Sequence, residues 1–407
     1  MRHIFAATVI TLLCIAGGCT AGGPATPGAD IDYSRLGDTP TAAERRLLVT
    51  FEDRTIGRTV SANAQDGYGG SGAAYGSNSD WSTRVARTLA QRHRIQMVAQ
   101  WPVTELGVSC VVYEVPATVD IAQVMQALAH DEQVVSAQPM QSFNVMGTID
   151  VSARLQADPA YGDPYFPLQT SVNTPHMAEW RKKATGRGIR IALIDTGVDT
   201  DHPDLRGQIG HSENMAPEPA DHDTADRHGT AVAGVLSAKP DNGIGIAGIA
   251  PDAEVLAFRA CWPEHHSALA ARCNSFTLAL ALNQAIRMDS HIINLSLSGP
   301  EDPLLRKLVQ RALDKGIIVI AAVPGKGQPG GFPADMPGVI AVGQGDESNA
   351  SEVVAPGRDI LTTVPRDSYD FMTGNSFATP HVAGLAALML ELHPEWQAAQ
   401  IAEELRR

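Results

Sequence analysis

Three short segments carry residues able to do chemistry together. Ile189-Arg190-Ile191-Ala192-Leu193-Ile194-Asp195-Thr196-Gly197 reads as a buried strand that delivers a carboxylate at its end, followed by a glycine turn. His228-Gly229-Thr230-Ala231-Val232-Ala233-Gly234 puts a histidine at the opening of a helix of small residues. Gly374-Asn375-Ser376-Phe377-Ala378-Thr379-Pro380 puts a serine at the opening of a long apolar helix. Pro380 fits the first turn, where a missing N–H does no harm. Such a set supports nucleophilic catalysis. A serine hydroxyl attacks poorly until a base takes its proton. The base must present the right ring nitrogen, which a buried carboxylate enforces. A helix N-terminus at the serine aims backbone N–H groups at the developing oxyanion.

Each segment also has a plainer reading. An aspartate after a strand can simply cap a turn, and Asp-Thr-Gly is also the signature of aspartic proteases. Those need a second carboxylate with matching flanks, and Asp223-Thr224 lacks the glycine. His228 alone could be a hydrogen-bonded core histidine. Ser376 alone could be a helix N-cap.

The elements that must position these residues alternate. Strands are expected at 189–194, 254–258, 291–296, 317–322 and 339–342, and helices at 228–238, 276–288, 302–314 and 376–391. That pattern implies an α/β, doubly wound, mainly parallel sheet. Reactive groups in such sheets gather at the carboxyl ends of the strands. A small domain comes first. Its expected order is strand 47–51, a Gly/Ser/Asn-rich loop 62–80, helix 82–92, strands 95–101 and 107–115, helix 119–130 and strand 132–138. This β-α-β-β-α-β order is that of a ferredoxin-like α+β domain. Cys110, in the apolar run 108–112, reads as a buried core thiol.

In the order Asp…His…Ser, the three segments resemble those of the subtilisin-like serine proteases. The resemblance is strong over 165–407 and weaker over 47–146, which is similar to that family's inhibitory, chaperone-like propeptide. It implies a serine endopeptidase that processes itself, with Asp195 as the orienting acid, His228 as the general base and Ser376 as the nucleophile. His202-Pro203-Asp204-Leu205 follows the acid strand as in the family. Asn294-Leu295-Ser296-Leu297-Ser298-Gly299 resembles the strand that pairs with an extended substrate, so Ser296, Leu297 and Ser298 are expected to bind peptide. Gly331-Phe332-Pro333-Ala334 resembles a wall of the pocket for the side chain before the cut bond. Val323 replaces a glycine there and is expected to narrow that pocket. The family's processing junction falls near Met146-Gly147, leaving 261 residues (147–407). The tail of the small domain is expected to lie in the cleft as a product-like inhibitor. The chemistry requires no cofactor. Asp204 and Asn242 match positions that help bind a structural calcium in some members.

One departure bears on activity. The family usually supplies an oxyanion donor from an asparagine after a buried strand. Here Ala321-Ala322-Val323-Pro324-Gly325 places Pro324 at that point, and proline has no donor. Losing one such donor costs about 3–4 kcal/mol of transition-state stabilisation. Asn375, where the family commonly has threonine, is expected to supply the missing amide. The alternative is a catalytically impaired, subtilisin-like scaffold or binding protein. His381, beyond the nucleophile, reads as a packing residue.

Composition sets the outer bounds. The 407 residues include 31 Lys+Arg and 45 Asp+Glu, a net charge of −14, with 44% hydrophobic residues. That excludes a mainly disordered chain and argues against binding nucleic acid or an anionic membrane surface. Met1-Arg2-His3 followed by an apolar run to Ala16 reads as an export signal over 1–19. Small residues before Cys19 resemble a bacterial lipoprotein signal, in which the cysteine is lipidated, and Thr20 points to the outer membrane. The alternative is a periplasmic or secreted protein. Residues 20–44 read as a tether, 45–146 as the propeptide-like domain, 147–164 as a linker and 165–407 as the catalytic domain. Export places Cys261 and Cys273 in an oxidising compartment, where a disulfide is expected. A Cys/His metal site or two free thiols are the alternatives.

Overall fold

In the computed structural model, the structure describes residues 44–56, 78–145, 147–149, 162–216, 226–263, 269–328, 330–345 and 352–406. The expected export signal with Cys19, the tether up to 43, Met146, Asp223 and most of the expected linker lie outside these residues.

The small domain has the expected order: β1 (Arg46–Glu52), α1 (Asp80–His93), β2 (Gln96–Val103), β3 (Val108–Glu114), α2 (Ile121–Ala129) and β4 (Ser136–Pro139). Its sheet is antiparallel, in the order β2-β3-β1-β4. The two-residue period of β1 explains how it packs. Leu47, Val49 and Phe51 face Val85, Leu89, Val124 and Leu128 of the two helices. Leu48 faces the other way and joins the core of the large domain. A sheet apolar on both faces must be covered on both, so this one docks. Ser79 caps α1 and Asp120 caps α2 through their side-chain oxygens. The last strand starts at 136 instead of 132. Asp131 turns the chain first, accepting the Gln133 N–H on its carboxylate and the Val134 N–H on its carbonyl.

Two short strands follow, β5 (Ser142–Val145) and β6 (Thr148–Ile149), and then helix α3 (Pro175–Arg181). The large domain runs β7 (Arg190–Asp195), β8 (Ile209–Asn214), α4 (Arg227–Ser237), β9 (Glu254–Arg259), β10 (Cys261–Pro263), β11 (Ala271–Asn274), α5 (Ser275–Arg287), β12 (Ile292–Leu295), α6 (Pro303–Asp314), β13 (Ile318–Ala322), β14 (Ile340–Gly343), β15 (Val353–Val354), β16 (Ile360–Val364), β17 (Ser368–Thr373), α7 (Asn375–Leu392) and α8 (Ala398–Leu405). Its seven-stranded sheet is parallel throughout, in the order β15-β14-β13-β12-β7-β9-β8. Ile191 and Leu193 of β7 pack with residues of α4 and α7. Ala192 and Ile194 pack on the opposite face with α5 and α6. That is the doubly wound arrangement.

The small domain sits on α5 and α6. The Trp101 ring meets Phe276 edge-on, with centroids 4.3 Å apart. Asn283 Oδ1 accepts the Glu105 N–H at 3.1 Å, and the Glu105 carboxylate reaches Arg311 and Lys315. Gln138 Oε1 accepts the Leu304 N–H at 3.1 Å, at the start of α6.

Several elements were not expected: β8, β15, the hairpins β10–β11 and β16–β17, and β5 and β6. The expected linker is also revised at both ends. Thr148–Ile149 pairs with β17, and Asp163 is buried, its carboxylate accepting the N–H groups of Asp241, Asn242 and Gly243. Cys261 and Cys273 oppose each other directly across β10–β11 and are joined in a disulfide, with Cα atoms 4.2 Å apart. Cys110 is free and fully buried, and burial raises its thiol pKa.

Candidate active site

Asp195 ends β7 at the carboxyl edge of the sheet and is fully buried. Its Oδ1 accepts the Thr196 N–H at 2.6 Å and lies 2.8 Å from His228 Nδ1. A carboxylate accepts, so Nδ1 donates to it, and Nε2 is the ring nitrogen left for proton exchange. Nε2 is buried and makes no hydrogen bond. The helix bearing His228 reaches the strand end because Gly229 has no side chain. A β-carbon there would lie 2.5 Å from the Thr196 carbonyl oxygen. Instead the Gly229 N–H donates to Thr196 Oγ1 at 2.8 Å.

Ser376 stands in the first turn of α7, a helix that no side chain caps. Its Oγ donates to the Ser296 carbonyl at 3.1 Å, and Ser296 Oγ donates back to the Ser376 carbonyl at 2.9 Å. The ring of Phe377, the next residue, lies 5.1 Å from the His228 ring, centroid to centroid. Acid, base and hydroxyl are thus brought to one edge of the sheet, with the hydroxyl turned to Ser296. Catalytic hydrogen bonds often tighten only when substrate is bound.

Behind the acid and base lies an ion pair that sequence reasoning missed. Arg259, at the end of β9, donates from Nε to Asp226 Oδ2 at 3.0 Å and from Nη1 to Asn214 Oδ1 at 3.1 Å. Asp226 Oδ2 also accepts the Gly197 N–H at 3.1 Å, so it ties the α4 start to the loop after Asp195. Burial raises the Asp226 carboxyl pKa against the opposing pull of Arg259. The available signal was an arginine closing the apolar run Val255–Phe258.

The segment after β12, at Ser298, is occupied by the chain's own tail. Asn144 and Ser298 exchange both backbone hydrogen bonds, N to O 2.9 Å and O to N 3.2 Å. On its other edge β5 pairs antiparallel with β11. Leu297 and Phe143 are buried in one core with Phe332. Past the nucleophile the tail pairs with β17, Thr148 opposite Thr373 and Ile149 opposite Met372.

Two expectations are corrected here. Asn375 does not point its amide at a developing oxyanion. Its Nδ2 donates to the Val323 carbonyl at 3.0 Å and its Oδ1 accepts the Gln344 N–H at 3.0 Å, so the side chain clamps the ends of β13 and β14. Val323, Gly331 and Ala334 line a cavity of about 1280 Å³ together with Gly325 and Gly343 and the longer Lys326, Glu352 and Arg358.

Asp204 and Asn242, finally, do not fit a calcium ion. Asp204 Oδ1 accepts from Asn242 Nδ2 at 2.8 Å, and its Oδ2 accepts from the Ile246 N–H at 2.9 Å and the Tyr369 hydroxyl at 2.8 Å. Calcium needs six to eight oxygens, whereas this carboxylate is surrounded by N–H and O–H donors. Among the described residues no group of three or more His, Cys, Asp or Glu is placed to hold a metal. His381 is buried beneath the nucleophile, its Nδ1 2.8 Å from the Phe377 carbonyl, and burial lowers its pKa to about 4.

Comparison with known proteins gives one family. The sequence profile of the Subtilase family (Peptidase_S8) matches residues 186–407. Subtilisin E of Bacillus subtilis strain 168 is 37% identical over 237 residues, which cover 54% of this chain and 60% of that protein. The major intracellular serine protease of the same strain is 35% identical over 245 residues, covering 55% and 74%. The chain thus spans about 60% of the length of subtilisin E. Among solved structures, fervidolysin from Fervidobacterium pennivorans, described as a keratinolytic enzyme related to subtilisin, superposes with a TM-score of 0.66 at 21% identity, covering 89% of this chain and 57% of that one. At that identity the likeness is one of fold.

Proposed function

The chain belongs to the subtilase family, and on that footing we propose that it is a serine endopeptidase that cuts extended peptides with Asp195, His228 and Ser376 and begins with its own chain. The observation that carries this reading is the path of the tail. Asn144 pairs with Ser298 and residues 148–149 pair with β17, and Gly147, just before that pairing, lies against Phe377, the residue after the nucleophile.

In the first step His228 Nε2 takes the Ser376 hydroxyl proton as Oγ bonds to the carbonyl carbon before the cut. The C–N bond then breaks, and the leaving amine receives that proton from His228. Water repeats the sequence on the acyl-serine and restores the enzyme. Asp195 stabilises the imidazolium throughout. Backbone N–H groups opening α7 serve the oxyanion, since Pro324 has no donor and Asn375 is engaged elsewhere. No cofactor enters the chemistry. Before cleavage the small domain acts as inhibitor through its tail. We further propose export, with lipidation at Cys19 in the bacterial outer membrane as the anchor.

Intact mass tests the reading. Wild type should lose the residues up to 146, and Ser376→Ala should not. If both stay full length, labelling with a fluorophosphonate separates a silent precursor, which reacts at Ser376, from an impaired scaffold, which does not. Pro324 together with the engaged Asn375 amide is the observation that favours this second reading.

A further inference from the structure

Gly147 is a position where the fold leaves no room for a side chain. A β-carbon built there would lie 2.6 Å from Cε2 and 3.0 Å from Cζ of Phe377, with the Thr373 carbonyl oxygen at 3.7 Å. Carbon atoms rest in contact at about 3.5–4.0 Å. The obstructing ring has little freedom to withdraw. Phe377 is fully buried in the core beneath α7. Its ring stands against the His228 ring at 5.1 Å. Its backbone is held at both polar groups, the N–H donating to Gly374 at 3.0 Å and the carbonyl facing His381 Nδ1 at 2.8 Å.

We propose that Phe377 makes this enzyme selective for glycine at the residue directly after the cut bond. The inference deepens the proposed protease reading and rests on it. The peptide cannot avoid the ring by sliding, because the next two residues are registered against β17 and the earlier ones against Ser298. The expected specificity therefore falls on the residue after the bond. The excluded side chain belongs to the leaving amine. It would collide while His228 delivers the proton to that nitrogen, so discrimination appears in kcat/KM.

The test uses the full chain and peptides identical except for Gly, Ala, Leu or Phe after the cut, with cut positions read by mass spectrometry. Gly should exceed Ala by about tenfold or more in kcat/KM, and exceed Leu and Phe by about a hundredfold or more. Phe377→Met keeps an apolar core side chain but ends in a flexible tip. It should bring the Gly-to-Ala ratio to within about threefold. Equal rates for Gly and Leu in wild type would overturn the inference and leave the protease reading standing. No cleavage of any peptide, with no labelling of Ser376, would overturn both.

Discussion

Asn375→Ala distinguishes a clamp from an oxyanion donor. The substitution removes two hydrogen bonds, Nδ2 to the Val323 carbonyl and the Gln344 N–H to Oδ1, each 3.0 Å long. A neutral hydrogen bond contributes about 1 kcal/mol net, and more when its buried partner stays unpaired. Both partners here are backbone groups at part-buried strand ends, so the sum is about 2 kcal/mol. In a domain of this size that lowers Tm by about 4–8 °C. The neighbouring nucleophile loses some of its fixed geometry, and kcat should fall by about tenfold or less. Loss of an oxyanion donor has the opposite signature, a fall in kcat of about 10²–10³ with no change in stability. Thermal unfolding should be measured in a Ser376→Ala background, which prevents self-digestion, and kcat per titrated active site in the active enzyme. An unchanged Tm together with a hundredfold loss of kcat would refute the clamp.

Two further predictions concern stability. The unfolded chain protonates His381 near 6.5, whereas the folded chain does so only near 4. Between those values the unfolded state holds more protons, so stability is fully present above about pH 6.5 and is lost as pH falls. The loss by pH 4 is about 3 kcal/mol from this one group. Urea melts of Ser376→Ala from pH 7.5 to 4.5 should show that slope, His381→Gln should flatten it, and an unaltered slope would sink the assignment. For Asp204, Tm should be the same in millimolar calcium and in chelator, and Tyr369→Phe should cost about 1–2 kcal/mol by removing a hydrogen bond to a charged group. A rise in Tm with calcium in wild type would contradict the hydrogen-bonded latch.

The strands of the central sheet were legible because strands buried on both faces read as unbroken apolar runs. Ile191–Ile194 and Ile317–Ala322 are such runs. The edge strand β8 was missed because its sequence, Ile209-Gly210-His211-Ser212-Glu213-Asn214, has no apolar period to read. The hairpin β16–β17 was missed for a related reason. Thr362 and Thr363 are buried because their hydroxyls donate to carbonyls of α4, not because they are apolar.

The sequence by itself determined the alternating elements, the helix openings that carry His228 and Ser376, and the strand end that carries Asp195. These follow from apolar patterning and from residue types a few positions apart, which act locally. Tertiary structure alone decided where polar side chains spend their hydrogen bonds. Asn375 finds Val323 and Gln344, Asp204 finds Tyr369, and Asp226 finds Arg259, over separations of 52, 31, 165 and 33 residues. A donor or acceptor must be matched once it is buried, but nothing in its neighbours along the chain names the partner. The same holds for Gly147. Its missing side chain becomes meaningful only when the tail crosses the nucleophile and meets the ring of Phe377.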